Sequence, residues 1–354
     1  MGNRLTLTCL LLCFGWVFVG GCTPATTTPR VYAPEVYEVF SKASAANDLD
    51  EKIRLYSQAI QLKPDLAEAY NNRGNACRDK GDYDRAIADY GRAIQLKPDY
   101  ADAYNNRGNA YVDKNDYDRA IADLGRAIQL KPDLAEAYTN RGNAYRGKGD
   151  HDRAIADYGR AIQLKPDLAE AYYNRGAAYD HKGDRDRAIA DYGRAIELKP
   201  DFAEAYYGRG NAYFHKGDYD QAIVDYGRAI ELKPDFAEAY NNRGNAYGLK
   251  GGYDRAIADY GRAIELKPDD AKAYYCRGAV YSRKGDRDRA IADYCRAIEL
   301  KSDYADVYND RAVAYFFKRD YDRAWADVKT CQALGGRVNP NFIRALREAS
   351  GRSE

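Results

Sequence analysis

From Ala67 onward, apolar and polar positions follow a helical rhythm that restarts every 34 residues, at Ala67, Ala101, Ala135, Ala169, Ala203, Ala237, Ala271 and Ala305. In Ala237–Asp270, AEAYNNRGNAYGLKGGYDRAIADYGRAIELKPDD, the residues Ala239, Tyr240, Gly244, Ala246 and Tyr247 recur at three- and four-residue steps, which marks one face of a helix. After the turn LKGGYD, Ala256, Ile257, Tyr260, Ala263, Ile264 and Leu266 repeat that signature, and Lys267-Pro268-Asp269 stops it. Each unit reads as helix–turn–helix. Two helices cannot bury an apolar face alone, so neighbouring units are expected to stack.

The period, the small residues and the closing proline resemble the tetratricopeptide (TPR) repeat, on Tyr240, Gly244, Tyr247, Ala256, Tyr260, Ala263 and Pro268 of this copy. The resemblance covers residues 67–338 as eight repeats and implies an all-α fold, an α–α superhelix, with first helices lining its concave face. It departs from the family at one position, where Arg precedes the Gly (or Ala) in every copy instead of the usual Leu. Residues 35–66 read as a degenerate first repeat: Tyr56, Ala59 and Pro64 are in place, but Phe40 stands where the Gly belongs. Asn339–Ser350, with Phe342, Ile343, Leu346 and Ala349 on one side, reads as a capping helix within 339–354.

The start of the chain is of another kind. Residues 1–21 carry Arg4 and then a mostly apolar run, a signal-peptide pattern. Val19-Gly20-Gly21-Cys22 resembles the bacterial lipobox, which implies cleavage and a lipid on Cys22. An uncleaved anchor is the rival reading. Thr23 after Cys22 implies, by the same resemblance, sorting to the outer membrane, facing the periplasm. Residues 22–34, rich in Thr and Pro, read as a tether.

Composition narrows the function classes. Formal net charge is +1, which draws the chain to neither nucleic acid nor anionic lipid. Three histidines in three repeats, no phosphate loop and no nucleophile elbow leave catalysis without a foothold; no cofactor or metal is expected. His181 and His215, in equivalent places, could approach one another. Cys77 and Cys331 take core positions and read as buried thiols, and a Cys276–Cys295 disulfide is disfavoured because the two should face apart.

Two residues recur in all eight copies: Arg73 and its equivalents up to Arg311, and Asp89 and its equivalents up to Asp327. A half-buried cation needs an anion, so Arg–Asp pairs between the two helices of each repeat are expected, against a rival ladder of anion-binding arginines. Asp65 and Glu68 and their equivalents have capping-box spacing. A Gly inside each second helix from Gly91 to Gly261 is unexplained by propensity.

The positions expected to face the groove are rich in asparagine. Asn71, Asn72 and Asn75 open the row, followed by Asn105, Asn106 and Asn109, then Asn140, Asn143 and Asn174. Asn211, Asn241, Asn242 and Asn245 continue it. Amides both donate and accept, so such a row can hold an extended peptide by its backbone. It resembles the asparagine ladder of the O-linked N-acetylglucosamine transferase repeats, whose catalytic domain has no counterpart here. The alternative is that these residues only belong to the scaffold. Further along, Tyr173, Tyr207, Phe214, Leu249, Tyr275, Phe316 and Phe317 replace polar residues, which suggests an apolar anchor over 207–317. Some of these could instead pack on the next repeat. The expectation is a protein- or peptide-binding scaffold; a spacer or self-associating array is the alternative.

Overall fold

The computed structural model describes residues 33–352, and the readings of residues 1–21, of Cys22 and of most of the tether lie outside them. Nineteen helices run from Pro34–Ala45 to Pro340–Ser350, with no strand among the described residues. They form nine helix pairs and a final single helix. Each second helix packs on its own first helix and on the first helix of the next repeat. From the second repeat on, successive first helices also pack on one another, while second helices stay further apart. The more closely spaced layer is the inner wall of a superhelix, so the groove belongs to the first helices.

The core of a repeat is a tyrosine laid over a glycine. A Cβ on Gly74 would stand 2.7 Å from Tyr90 Cε1, and one on Gly142 would stand 2.6 Å from Tyr158 Cε1. Packing this close excludes any side chain there. In the ninth repeat Ala312 replaces the glycine and the smaller Val328 replaces the tyrosine; both are buried. In the first repeat Phe40 meets Tyr56 edge-on, with ring centres 5.4 Å apart.

Each of the second to ninth repeats also contains the expected ion pair. Arg73, Arg107, Arg141, Arg175, Arg209, Arg243, Arg277 and Arg311 each donate Nε and Nη2 to the two oxygens of the Asp sixteen residues on, at 2.6–2.9 Å. The carboxylates are buried, and each guanidinium also stacks over the Tyr three residues earlier, 5.5–5.7 Å from the ring centre. Such fork-to-fork pairs satisfy a cation that leucine would not bring in. The glycines of the second helices lie beside these arginines: a Cβ on Gly91 would sit 3.6 Å from Arg107 Nη1. Where a longer residue stands there, it accepts from that nitrogen, as Ser57 does from Arg73 (3.0 Å) and Cys295 from Arg311 (3.1 Å).

One expectation is overturned. The first helices of the repeats are not opened by capping boxes: Leu66, Leu168, Phe202 and Phe236 hold the N-cap places without a side-chain cap. The chain before each helix turns one residue later than the spacing implied. The glutamates instead meet the lysine of their own exit turn, Glu170 with Lys199 at 3.6 Å and Glu204 with Lys233 at 3.4 Å. In the eighth repeat, where Lys272 replaces the glutamate, Asp270 does cap, accepting from the backbone N–H groups of Lys272 and Ala273. The Asp-rich turns are caps of second helices, Asp184 accepting from Arg187 N at 3.2 Å.

A second ladder went unnoticed in the sequence. Lys80 pairs with Asp50, Lys114 with Asp84, and so on to Lys318 with Asp288, always thirty residues apart and always across a repeat boundary. Arg352 with Asp322 completes it, so the cap Pro340–Ser350 continues the repeat in register. Its Leu346 is fully buried against a cluster containing Trp325, Phe316 and Val328. All four cysteines of the described residues are free; Cys77 and Cys331 are buried, as expected.

Candidate peptide-binding groove

The asparagines of the first helices are half-buried, with Asn71 fully buried, and many bond one another. Asn106 donates to Asn71 (3.1 Å) and Asn140 to Asn105 (3.1 Å), each reaching the previous repeat. Within a repeat Asn71 donates to Asn72 (3.2 Å) and Asn105 to Asn106 (3.3 Å). Asn75, Asn143 and Asn245 each accept from the core tyrosine of their own repeat, at 2.7–2.8 Å from Tyr90, Tyr158 and Tyr260. Burial raises the Tyr158 phenol to about 12, so it stays a donor at any ordinary pH. Asn242 donates to Tyr207 Oη (3.0 Å) and to Asn211 (2.9 Å). The described residues give Asn109 and Asn174 no such bond, since Leu124 replaces the tyrosine that Asn109 would meet.

The expected aromatic anchor splits into parts. Tyr207 lies against Phe236 with ring centres 4.7 Å apart, and Tyr275 against Tyr304 at 5.2 Å. Tyr173 does the same with Phe202 at 5.0 Å. These half-buried rings wedge the loop into the next repeat, so they wall the groove more than they project into it. The Tyr275 hydroxyl donates to Asp310 (3.0 Å), whose carboxyl burial pushes above its ordinary range. Phe316 turns onto the cap, edge-on to Phe342 at 5.5 Å, and belongs to the C-terminal seal. Phe317 stays 60% exposed, with Arg287 stacked over it.

Phe214, Asn245 and Tyr275 do come together. With Leu249, Tyr260, Val280 and Arg283 they line a cavity of about 240 Å³ shared by the first helices Ala203–Lys216, Ala237–Leu249 and Ala271–Lys284. Three small residues make the space. Gly248 stands where other copies have Arg, Val, Asp, Phe or Ser, and Cys276 and Ala279 stand mostly where they have Asn. Burial raises the Cys276 thiol to about 11, which keeps it neutral. The cavity lies below the ~300–1,000 Å³ of a small-molecule site and suits a single large side chain. The sequence signal was present as missing side chains at aligned groove positions, which a search for residues present does not see.

The histidines pair differently from the expectation. His181 stacks on His151, with centres 5.2 Å apart and planes 6° off parallel, while His215 meets Phe214 edge-on. A turn residue of one repeat faces the helix end of the next, so equivalent positions are not the ones that touch. Among the described residues no group of three or more His, Cys, Asp or Glu could hold a metal ion, and no helix is long and apolar enough to cross a membrane.

A stack of helix pairs at this period, its inner wall formed by first helices around an open groove, defines a solenoid of the class that holds protein or peptide partners. The chain belongs to the TPR repeat family, which matches it at residues 45–77, 74–113, 108–149, 142–183, 181–217, 210–251, 249–285 and 283–317. No curated protein matches the chain. Among solved structures, that of MamA is 34% identical, covering 47% of this chain and 96% of that one, with a TM-score of 0.44. YrrB, described as a TPR protein with an unusual peptide-binding site, is 26% identical over 51% of this chain and 93% of that one, with a TM-score of 0.46. A tetratricopeptide repeat protein from Parabacteroides merdae is 24% identical over 71% of this chain and 99% of that one, with a TM-score of 0.52, and shares the fold.

Proposed function

We propose that the protein is a lipid-anchored adaptor of the cell envelope that holds an extended segment of another protein in its groove. The cavity between the sixth and eighth repeats carries this reading. Apolar surface left open in a groove is a site where a partner's side chain gains by leaving water. The lipobox-like Val19-Gly20-Gly21-Cys22 and the tether behind it support an anchor on the outer membrane, facing the periplasm. A self-assembling array has less support. The Lys–Asp ladder closes at Arg352, and Ala46 holds the equivalent place in the first pair, so among the described residues this ladder leaves no unmet member for another copy.

Two measurements test the proposal. Mass spectrometry of the mature protein should find a lipid-modified Cys22 at its start, and Cys22→Ser should release the protein from membranes. Affinity capture with the full chain should give a saturable partner that Phe214→Ala with Phe317→Ala abolishes at unchanged helicity. Capture indifferent to those changes would remove the groove from the proposal.

A further inference from the structure

The eighth repeat differs from every other full copy in the charge it turns to the groove. The second residue of the first helix is acidic in the other seven: Glu68, Asp102, Glu136, Glu170, Glu204, Glu238 and Asp306. Five of those meet the lysine of their own exit turn. In the eighth repeat the residue is Lys272, and the exit turn still carries Lys301, so two cations stand where five of the other copies hold a pair. Arg283, at the rim of the cavity, is exposed and takes no ion pair among the described residues; neither does Lys272.

The nearby carboxylates are engaged elsewhere. Asp270 accepts from Lys272 N, Ala273 N and Asn241 Nδ2, and Asp310 accepts from Tyr275 and Asn309. Asp306, at the start of the ninth repeat, and Asp269 and Asp303, in the turns before and after the eighth, also take no ion pair among the described residues, and Arg283 draws the Asp310 carboxyl electrostatically. The groove therefore presents a largely apolar cavity beside two cations, Arg283 and Lys272, that take no ion pair among the described residues. Complementary charge mainly selects which partner binds.

We infer that this end of the groove takes an extended peptide whose bulky apolar residue fills the cavity under Phe214 and Leu249 while flanking acidic residues meet Arg283 and Lys272. The inference rests on the adaptor reading and names the class of its cargo. Neighbouring helices pack about 8–10 Å apart. An extended chain advances about 3.1–3.3 Å per residue, so it passes one repeat roughly every third residue. Acidic residues spaced this way from the apolar one match the cavity and its rim, and the exposed Phe317 lies one repeat beyond.

The test titrates the full chain with capped fluorescent peptides in which one leucine lies between glutamates in a Ser/Gly background. Binding should be saturable, and exchanging the glutamates for lysines should weaken it about ten-fold or more. Gly248→Phe, which restores the side chain present at Phe214 and Phe316, should abolish binding. Arg283→Glu with Lys272→Glu should reverse the preference toward the lysine peptide. Equal binding of both peptides, or binding unaffected by Gly248→Phe, overturns the inference. If no peptide binds but Phe214→Ala with Phe317→Ala still abolishes capture, this cargo class fails and the adaptor reading stands. Sedimentation showing a dimer that Gly248→Phe dissolves would assign the cavity to a second copy and also overturn it.

Discussion

The second to fourth repeats and the sixth to eighth share one scaffold and present different walls. In the earlier stretch the groove amides bond one another across repeats, Asn71 to Asn106 and Asn105 to Asn140, which leaves a continuous polar surface. In the later stretch Gly248, Cys276 and Ala279 remove side chains, an apolar cavity opens, and Lys272 and Arg283 lack partners. The core beneath is built alike in both, with the Arg–Asp fork in every repeat and a tyrosine over its glycine in all but the third, where Leu124 covers Gly108. The groove wall can thus vary while the core pairs that set the stacking stay the same.

That contrast can be broken first at the scaffold. Asp123→Ala and Asp259→Ala each leave a half-buried guanidinium without its anion and should cost about 3 kcal/mol. The loss should be equal in the two stretches, read as urea midpoint and as amide protection of the affected repeat. Clearly unequal losses would mean that the two stretches differ below the surface as well.

Gly248→Phe sharpens the difference with opposite sign. It gives up a helix-interior glycine and fills apolar space, since a Cβ there meets Val280 Cγ2 at an ordinary 3.6 Å. Stability should rise by about 1–2 kcal/mol. A fall in melting temperature would show that the cavity is already filled by a motion of its own walls.

In the polar stretch Asn106→Ala removes a bond to Asn71 and one from Asn105 and should cost about 1 kcal/mol. Asn174→Ala, which removes no such bond, should be neutral in the same thermal melt. The smallest effect is expected from Gly125→Ser. There the new hydroxyl can accept from Arg141 Nη1, as Ser57 accepts from Arg73, and stability should rise by about 0.5–1 kcal/mol. No gain would mean that solvent already satisfies that nitrogen.

Legibility in the sequence followed distance along the chain. The helix pairs, the Arg–Asp partners and the buried thiols were readable because each rests on contacts at a fixed short offset repeated in every copy. The apparent capping box misled for the same reason: Asp65 and Glu68 have the right spacing, but the loop places Leu66 at the helix start. Phe316 and Phe317 are neighbours in sequence, yet one faces the cap and the other solvent, and only the position of Phe342 separates them. His181 found His151 and not its equivalent His215, because adjacent repeats meet through unlike positions.

By itself the chain's periodicity determined that this protein is a stack of two-helix units, since an apolar stripe recurring with one spacing can be buried only on a copy of itself. Which groove residues bond one another, where the wall opens and which cations stand alone were decided only by the stacking. Those features depend on side chains about 30–35 residues apart, and the helix packing that brings them face to face leaves no mark on any single repeat.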